Sequence, residues 1–501
     1  MKNFIKNFIK NFKFNKLLLS IFLFIPFFYL TKRGMRVDND SWFLLNYGHY
    51  VLENGFTHIE PFTMHQNFNF TMQQWLFSVI FYIMYEKCTF WGIIIFTFLL
   101  YLLIYFVFYK LCLFVSKNNR IIATVFSIIF STLFISNNAF FASRPQMVSY
   151  LIIILWIYIC EKYYVEKKLK YLLFLPLLSI LEINFHASCW FFLFIFSIPF
   201  CIDYAFDSFK NRKISEEFKL FVIASSVAFA VGLINPYGTT NMIYISYAFH
   251  GNTDFILEMT RPELLSDFTK ILFSLLLVYI LVLNRNKNKN KNIRHIFFIV
   301  GTLAFSLSTI KSVIYFVIIS LYCISSLLPD FLKNRVSNKK PSKKQLAIYT
   351  IICLISICTI SFYSIKNTNK NITNFEKEYK EIKKDLAQNI PLKNSKVYTG
   401  YNSGALLEYI GYKCFIDARA EVFYKEMNKK DNIFDEYDEI QRKSGKLERE
   451  KFLKKYKFTH LFIQQNDVFY STKKIKGYTL VKNDKRYRIY TRNDLLKGQK
   501  K

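Results

Sequence analysis

The sequence predicts an α-helical membrane protein of many spans that ends in a smaller, water-facing α/β domain. Three observations carry this. Apolar residues make up 52% of the 501 and come in blocks of about twenty, the length that crosses a ~30 Å hydrocarbon core. Lys and Arg gather in the gaps between the blocks, as they do in loops that orient a multispan protein. Beyond residue 365 the apolar runs shorten and alternate with polar residues, the pattern of half-buried strands and helices. A soluble globular protein, a disordered chain and a fibre are excluded. The formal charge of +32 does not point to nucleic acid, because the cations are spread over loops and not gathered on one soluble module.

Taken in order, eleven spans are expected, at roughly 14–31, 90–115, 120–137, 147–163, 171–185, 187–204, 219–235, 269–284, 295–310, 312–329 and 346–365. The first follows the repeat KNFIKNFIKNF and ends in Thr31-Lys32-Arg33. It lacks a small-residue cleavage site and reads as an anchor, not a removable signal. With the N-terminus inside, the inner segments carry 26 basic residues and the short outer segments about six. This asymmetry sets the orientation. Segment 75–87, WLFSVIFYIMYEK, is too short for an ordinary span. Its crossing would also move most of those basic residues outside, so it is expected as an interfacial or re-entrant helix on the outer side. The odd span count then leaves the tail outside.

Residues 1–365 are thus expected as the membrane module, with a first outer loop at 31–89, and 366–501 as an extracytoplasmic α/β domain. The bias toward Asn, Lys, Ile and Phe reads as AT-rich bacterial coding, which places the protein in the bacterial plasma (inner) membrane, multi-pass, with a cytoplasmic N-terminus. In the tail, KVYTGY, KCFIDAR, HLFIQQ, YTLVKND and RYRIYTR read as strands. SGALLEYI and residues 433–457 read as helices, and 366–390 as a helical connector. The nine cysteines form no CxxC pair and lie mostly in apolar blocks. They read as small core residues, not as metal ligands or a disulfide framework.

Polar groups at membrane depth are costly, so polar clusters are the informative places. Five stand out, all at outer ends, while the inner halves of the spans read as apolar. The first is the loop with Asp38-Asn39-Asp40, an amphipathic helix after it, and then His58 and Glu60. Two carboxylates there can take a proton or hold a divalent cation; alternatively, Asp40 is simply a helix cap. The second holds Arg144 and Gln146. The arginine can clamp a phosphate or snorkel to the interface. The third, Glu182 through His186 with Asn184 between, breaks two spans, as a site or as a hydrogen-bonded turn. The fourth is the turn Asn235-Pro236-Tyr237-Gly238 followed by a loop with Asp254, Glu258, Arg261 and Glu263, with Lys311 close to the outer ends of two later spans. The fifth, Gly404 to Glu421 with Asp417-Ala418-Arg419, lacks a full phosphate-loop pattern and reads as structural.

The order Asp-x-Asp-x-Trp, Glu60-Pro61-Phe62-Thr63, Gln74-Trp75-Leu76, Arg144-Pro145-Gln146, Asn184-Phe185-His186, Asn235-Pro236-Tyr237-Gly238 and Phe415 to Glu421 resembles bacterial multispan C-type glycosyltransferases (the GT-C superfamily). It is similar above all to members near the protein mannosyltransferase and lipid A aminoarabinose transferase group. The resemblance runs over most of the chain. It departs at Gln73-Gln74, where a His-Glu pair is common, and at Glu60, where Asp is common. The resemblance implies a sugar donor on polyprenyl phosphate and transfer on the outer face of the membrane. The displacement would be single and inverting, and the acceptor a glycan, lipid or protein. Asp40, or Asp38 less favoured, would be the base. Glu60, His58, Arg144, Gln146, Asn184, His186 and Lys311 would line the donor and acceptor sites. No cofactor is assigned, although Asp38 and Asp40 could hold a divalent cation. The competing readings are a lipid-linked glycan polymerase, ligase or flippase, and a non-catalytic membrane scaffold for cell-envelope polymer.

Overall fold

The computed structural model describes residues 34–137, 139–248, 256–285, 293–332, 343–472 and 474–498. The expected first span lies outside them. Among the described residues, five helices are long and apolar enough to cross a membrane: Trp75–Val115, Gln146–Glu166, Ala187–Asn211, Asp267–Arg285 and Ile310–Pro329. Two shorter apolar helices, Arg120–Ser136 and Ile293–Ser308, accompany them. The protein is therefore a multispan membrane protein by the length and composition of its helices. A single helix, Lys343–Asn389, takes in both the expected last span and the connector.

The helix Trp75–Val115 is broken at Cys88 and Thr89, where Thr89 has φ 53°. A β-branched residue in that region is strained, and the break separates residues 75–87 from the span that follows. The short outer helix expected from length alone is thus a distinct piece. Gly92 makes the bend possible, since a Cβ there would meet the Met84 carbonyl oxygen at 2.0 Å.

The segment expected as the first outer loop contains helix α1, Asp40–Asn54. It packs against segment 75–87 through Gly48, where a Cβ would lie 2.1 Å from the Ser78 carbonyl oxygen. Trp42 stacks on Phe375 at 5.2 Å and on Tyr379 at 5.0 Å, both on the long Lys343–Asn389 helix. Just before α1, Met35 N donates to Thr368 Oγ1 at 2.9 Å. The start of α1, and with it Asp40, is therefore fixed from two sides.

The tail forms a five-stranded mixed sheet in the order β2-β1-β3-β5-β4. Its strands are β1 Lys396–Tyr398, β2 Lys413–Cys414, β3 His460–Gln464, β4 Tyr478–Asn483 and β5 Tyr487–Arg492. β1 pairs in parallel with β2 and β3, and β5 runs antiparallel to β3 and β4. Helices form at Gly404–Ile410, Ile433–Arg442 and Lys446–Tyr456, as expected. One strand needs correction: KCFIDAR pairs only at Lys413–Cys414. Asp417 Oδ1 accepts from Arg419 N at 2.8 Å, and this tight local turn carries the chain away from the sheet. The exposed edge of β2 is covered by the outer loop, where Met64 N donates to Cys414 O at 2.9 Å. That contact satisfies backbone groups an edge strand would leave open.

The expectation of wholly apolar inner halves is corrected at one place. Arg294 donates to Glu161 at 2.9 and 3.1 Å and to Asp203 at 2.9 Å. Its guanidinium lies 4.1 Å from the Tyr164 ring centroid. All three charged groups are buried, and mutual pairing makes that tolerable.

Candidate functional site

Asp40 is the first residue of α1, and it does not cap the helix. The capping position is Asn39, and no side-chain cap bond forms there. The Asp40 carboxylate instead faces Arg144. Arg144 Nε lies 2.7 Å from Asp38 Oδ2 and 3.1 Å from Asp40 Oδ2. Arg144 Nη1 donates to both oxygens of Glu258, at 3.0 and 2.9 Å. The arginine sits just ahead of helix Gln146–Glu166, and the Pro145 φ of −55° suits a helix start. One guanidinium therefore gathers three carboxylates from loops far apart in sequence.

Asp40, Arg144, Gln146, His186 and Lys311 line a single cavity of about 510 Å³. Its other wall comes from the tail: Tyr401, Asn402, Glu421 and Asn466. Asp38 faces a smaller neighbouring cavity of about 200 Å³, with Arg144 and Glu258. Burial pushes the Asp40 carboxyl up, to about 6. Arg144 and Lys311 pull the other way, and the Asp38 and Glu258 charges add to the rise. An acid with that midpoint is mostly ionised near neutrality yet still basic enough to take a proton.

Lys311 lies on the short turn Ile310–Ser312, held against the Glu258 segment by Ile310 N donating to Thr260 O at 2.9 Å. Among the described residues it has no ion-pair or hydrogen-bond partner. Arg144, by contrast, is committed to acids. Of the two cations expected for a phosphate, Lys311 is the one with an open ammonium.

His186 stands at the break between helices Phe174–Phe185 and Ala187–Ile195. Its ring nitrogens bond Ser149 Oγ at 2.7 Å and Ser188 Oγ at 2.9 Å. Gln73 fixes this break: its carbonyl accepts from Ala187 N at 2.9 Å and its Oε1 from Ser188 N at 3.1 Å. Gln73 thus holds the break in place, and both Gln73 and Gln74 line the cavity.

Three expected residues lie apart from the cavity. Asn184 accepts from Trp75 Nε1 at 2.9 Å and donates to the Ile180 and Ile234 carbonyls, which is a packing role. His58 is exposed and touches Tyr237 edge-on at 5.3 Å. Glu60 is buried beneath the tail. It accepts from Thr63 N at 2.7 Å and from Arg419 Nη1 at 2.9 Å.

Arg419 is the centre of a second buried cluster. It also bonds Asp417, Tyr47 Oη at 2.9 Å and Glu408 at 3.3 Å. Burial first, then the Asp417 charge, pushes the Glu408 carboxyl up, and the Arg419 guanidinium opposes that rise. Arg419 belongs to the segment expected to be structural, whereas nothing in the sequence gives Glu258 a role. Nothing in a single sequence links Glu258 to Arg144, 114 positions away, or Arg419 to Glu60, 359 positions away.

The donor set offers a test for a divalent cation. Asp38, Asp40 and Glu258 supply the hard oxygens such ions take, but Arg144 stands among them. Among the described residues, the one trio of potential ligand atoms within 4.8 Å of one another is elsewhere, at Glu182, His186 and Cys189. The carboxylates as arranged fit a guanidinium, not a metal ion.

The chain is thus a multispan helical body with a loop of acidic residues and an α/β domain packed against that loop. Solved structures of this fold are similar to the chain over most of its length. The oligosaccharyltransferase of Archaeoglobus fulgidus in its apo form aligns with a TM-score of 0.57 and 10% identity, over 90% of this chain and 70% of its own. The same archaeal enzyme, AglB, in complex with an inhibitory peptide and a dolichol-phosphate, aligns at 0.54 and 9% identity, over 89% and 69%. ArnT from Cupriavidus metallidurans in the apo state aligns at 0.51 and 10% identity, over 95% and 97%. No protein-family model matches the sequence. No curated protein matches it either.

Proposed function

We propose that the chain is a membrane glycosyltransferase that moves a sugar from a polyprenyl-phosphate donor to an acceptor on the outer face of the membrane. The observation that carries this reading is the shared cavity: a carboxylate raised to about 6 at Asp40 and an unpaired ammonium at Lys311 line the same space. The GT-C fold and the dolichol-phosphate held by AglB support a lipid-carried phosphate donor. In this reading the acceptor hydroxyl enters from the wall formed by Tyr401, Asn402 and Asn466. Asp40 takes its proton as its oxygen attacks the sugar's anomeric carbon. The bond from that carbon to the phosphate oxygen breaks on the opposite face, and the charge gained by polyprenyl phosphate develops beside Lys311. One displacement inverts the anomeric configuration. Arg144 orients the carboxylates.

The same reading keeps the expected topology, with residues 1–365 as the membrane module and 366–501 outside the cytoplasm. Reporter fusions at residues 290 and 430 should answer cytoplasmic and external respectively; matching answers would overturn the map. The activity itself is tested with purified protein in liposomes, given a panel of labelled polyprenyl-phosphate sugars. Transfer with inversion, read by NMR of the product, supports the proposal. Retention of configuration, or transfer only from nucleotide sugars, contradicts it.

A further inference from the structure

We propose that Glu182, His186 and Cys189 bind a zinc ion at the break between the helices Phe174–Phe185 and Ala187–Ile195. One ligand atom from each lies within 4.8 Å of the other two, and all three residues are buried. Metal–ligand distances of about 2.0–2.3 Å set tetrahedral ligands roughly 3.3–3.8 Å apart. The three atoms therefore need to close by at most about 1.5 Å around an ion.

Glu182 is the second, independent observation. Its side chain is fully buried, and among the described residues neither carboxylate oxygen has a hydrogen-bond partner. The neighbouring Ser149 hydroxyl is committed to His186 Nδ1 at 2.7 Å. A buried carboxyl with both oxygens open is costly unless a cation or a proton answers it. A zinc ion answers it with charge to match, since one carboxylate and one thiolate balance the 2+ of the metal. The mixed oxygen, nitrogen and sulfur set selects zinc over magnesium or calcium, which take oxygen alone. His186 has a serine hydroxyl on each ring nitrogen, so when one nitrogen ligates, the other remains held and the ring is oriented.

The backbone makes the site. His186 N donates to Glu182 O at 2.7 Å and Cys189 N to His186 O at 3.0 Å, while His186 itself leaves the helix at φ −161°, ψ 79°. That break brings residues on either side of it to one point. Cys189 and His186 also line a small pocket of about 90 Å³ beside the main cavity, and His186 and Ser188 border both.

The experiment uses the full-length protein in detergent, loaded with zinc and then freed of excess metal. Mass spectrometry of the metal content should find one zinc per chain. Cobalt in its place should give the intense visible bands of a tetrahedral site and a thiolate-to-cobalt charge-transfer band. Cys189→Ser should abolish that band and drop the zinc content severalfold, while Cys160→Ser, at a buried cysteine on another helix, keeps both. Zinc far below one per chain in the parent protein, or Cys189→Ser retaining full zinc, overturns the site. If Cys189→Ser does not fold, the parent spectrum decides alone: cobalt bound without a thiolate band also overturns it.

Discussion

Asp40 Oδ2 lies 3.1 Å from Arg144 Nε, within a group where the same guanidinium holds Asp38 and Glu258. The pairing makes the base's acidity depend on the arginine. Burial raises the Asp40 carboxyl to about 6 and Arg144 opposes that rise. The ionised form is the reactive one, so kcat/KM should climb with pH through about 6 and level off above it. Arg144→Gln should move that limb up by about one pH unit. The sign for stability is opposite. A raised carboxyl favours the folded state below its unfolded value of 3.8, and this contribution is lost as pH rises through about 6. A pH–rate series on both proteins checks the pairing; an unmoved limb in Arg144→Gln contradicts it.

Lys311 is predicted to act on the leaving phosphate. Lys311→Met should lower the transfer rate by ~10²-fold, the scale of one lost charge-stabilising donor, and Lys311→Arg should recover most of it. The check is kcat and donor KM measured separately. A change confined to acceptor KM would remove Lys311 from the donor side.

Glu60, paired with Arg419, should matter for stability and not for substrate. Both are buried, at 0% and 2% side-chain exposure, and removing one partner of a buried pair costs about 3–5 kcal/mol. Glu60→Ala should lower the thermal midpoint markedly and speed proteolysis of the tail. Glu60→Gln should keep donor and acceptor KM near the parent values. A large KM change in a well-folded Glu60→Gln protein would return this residue to the binding site.

The helices and strands were legible because hydrophobic period and block length report burial directly. The break near Cys88 was legible for the same reason, as thirteen residues do not span a membrane. The strand at KCFIDAR was misread past Cys414, because Asp417 and Arg419 turn the chain through side-chain bonds that a pattern of apolar residues does not show. Among the site residues, Asp40, Gln146, His186 and Lys311 stood out as polar groups in apolar surroundings, and the structure gathers them around one cavity. The same cue also selected Asn184 and Glu60, whose polarity serves packing. Polarity out of place marks a paired group as readily as a reactive one; only the partner, remote in sequence, tells them apart. Arg144 shows this most plainly, since the phosphate clamp expected from the sequence is paired with Asp38, Asp40 and Glu258.

The central claim is that Asp40 takes the acceptor's proton, and Asp40→Asn tests it most directly. Asn is nearly the same size and still accepts from Arg144, but it cannot take a proton. The measurement is the transfer rate of inserted, monodisperse Asp40→Asn protein in liposomes, beside the parent and Asp38→Asn. The account predicts a fall of ~10²–10⁴-fold for Asp40→Asn, a smaller fall for Asp38→Asn, and unchanged folding in both. Transfer by Asp40→Asn at the parent rate would contradict it.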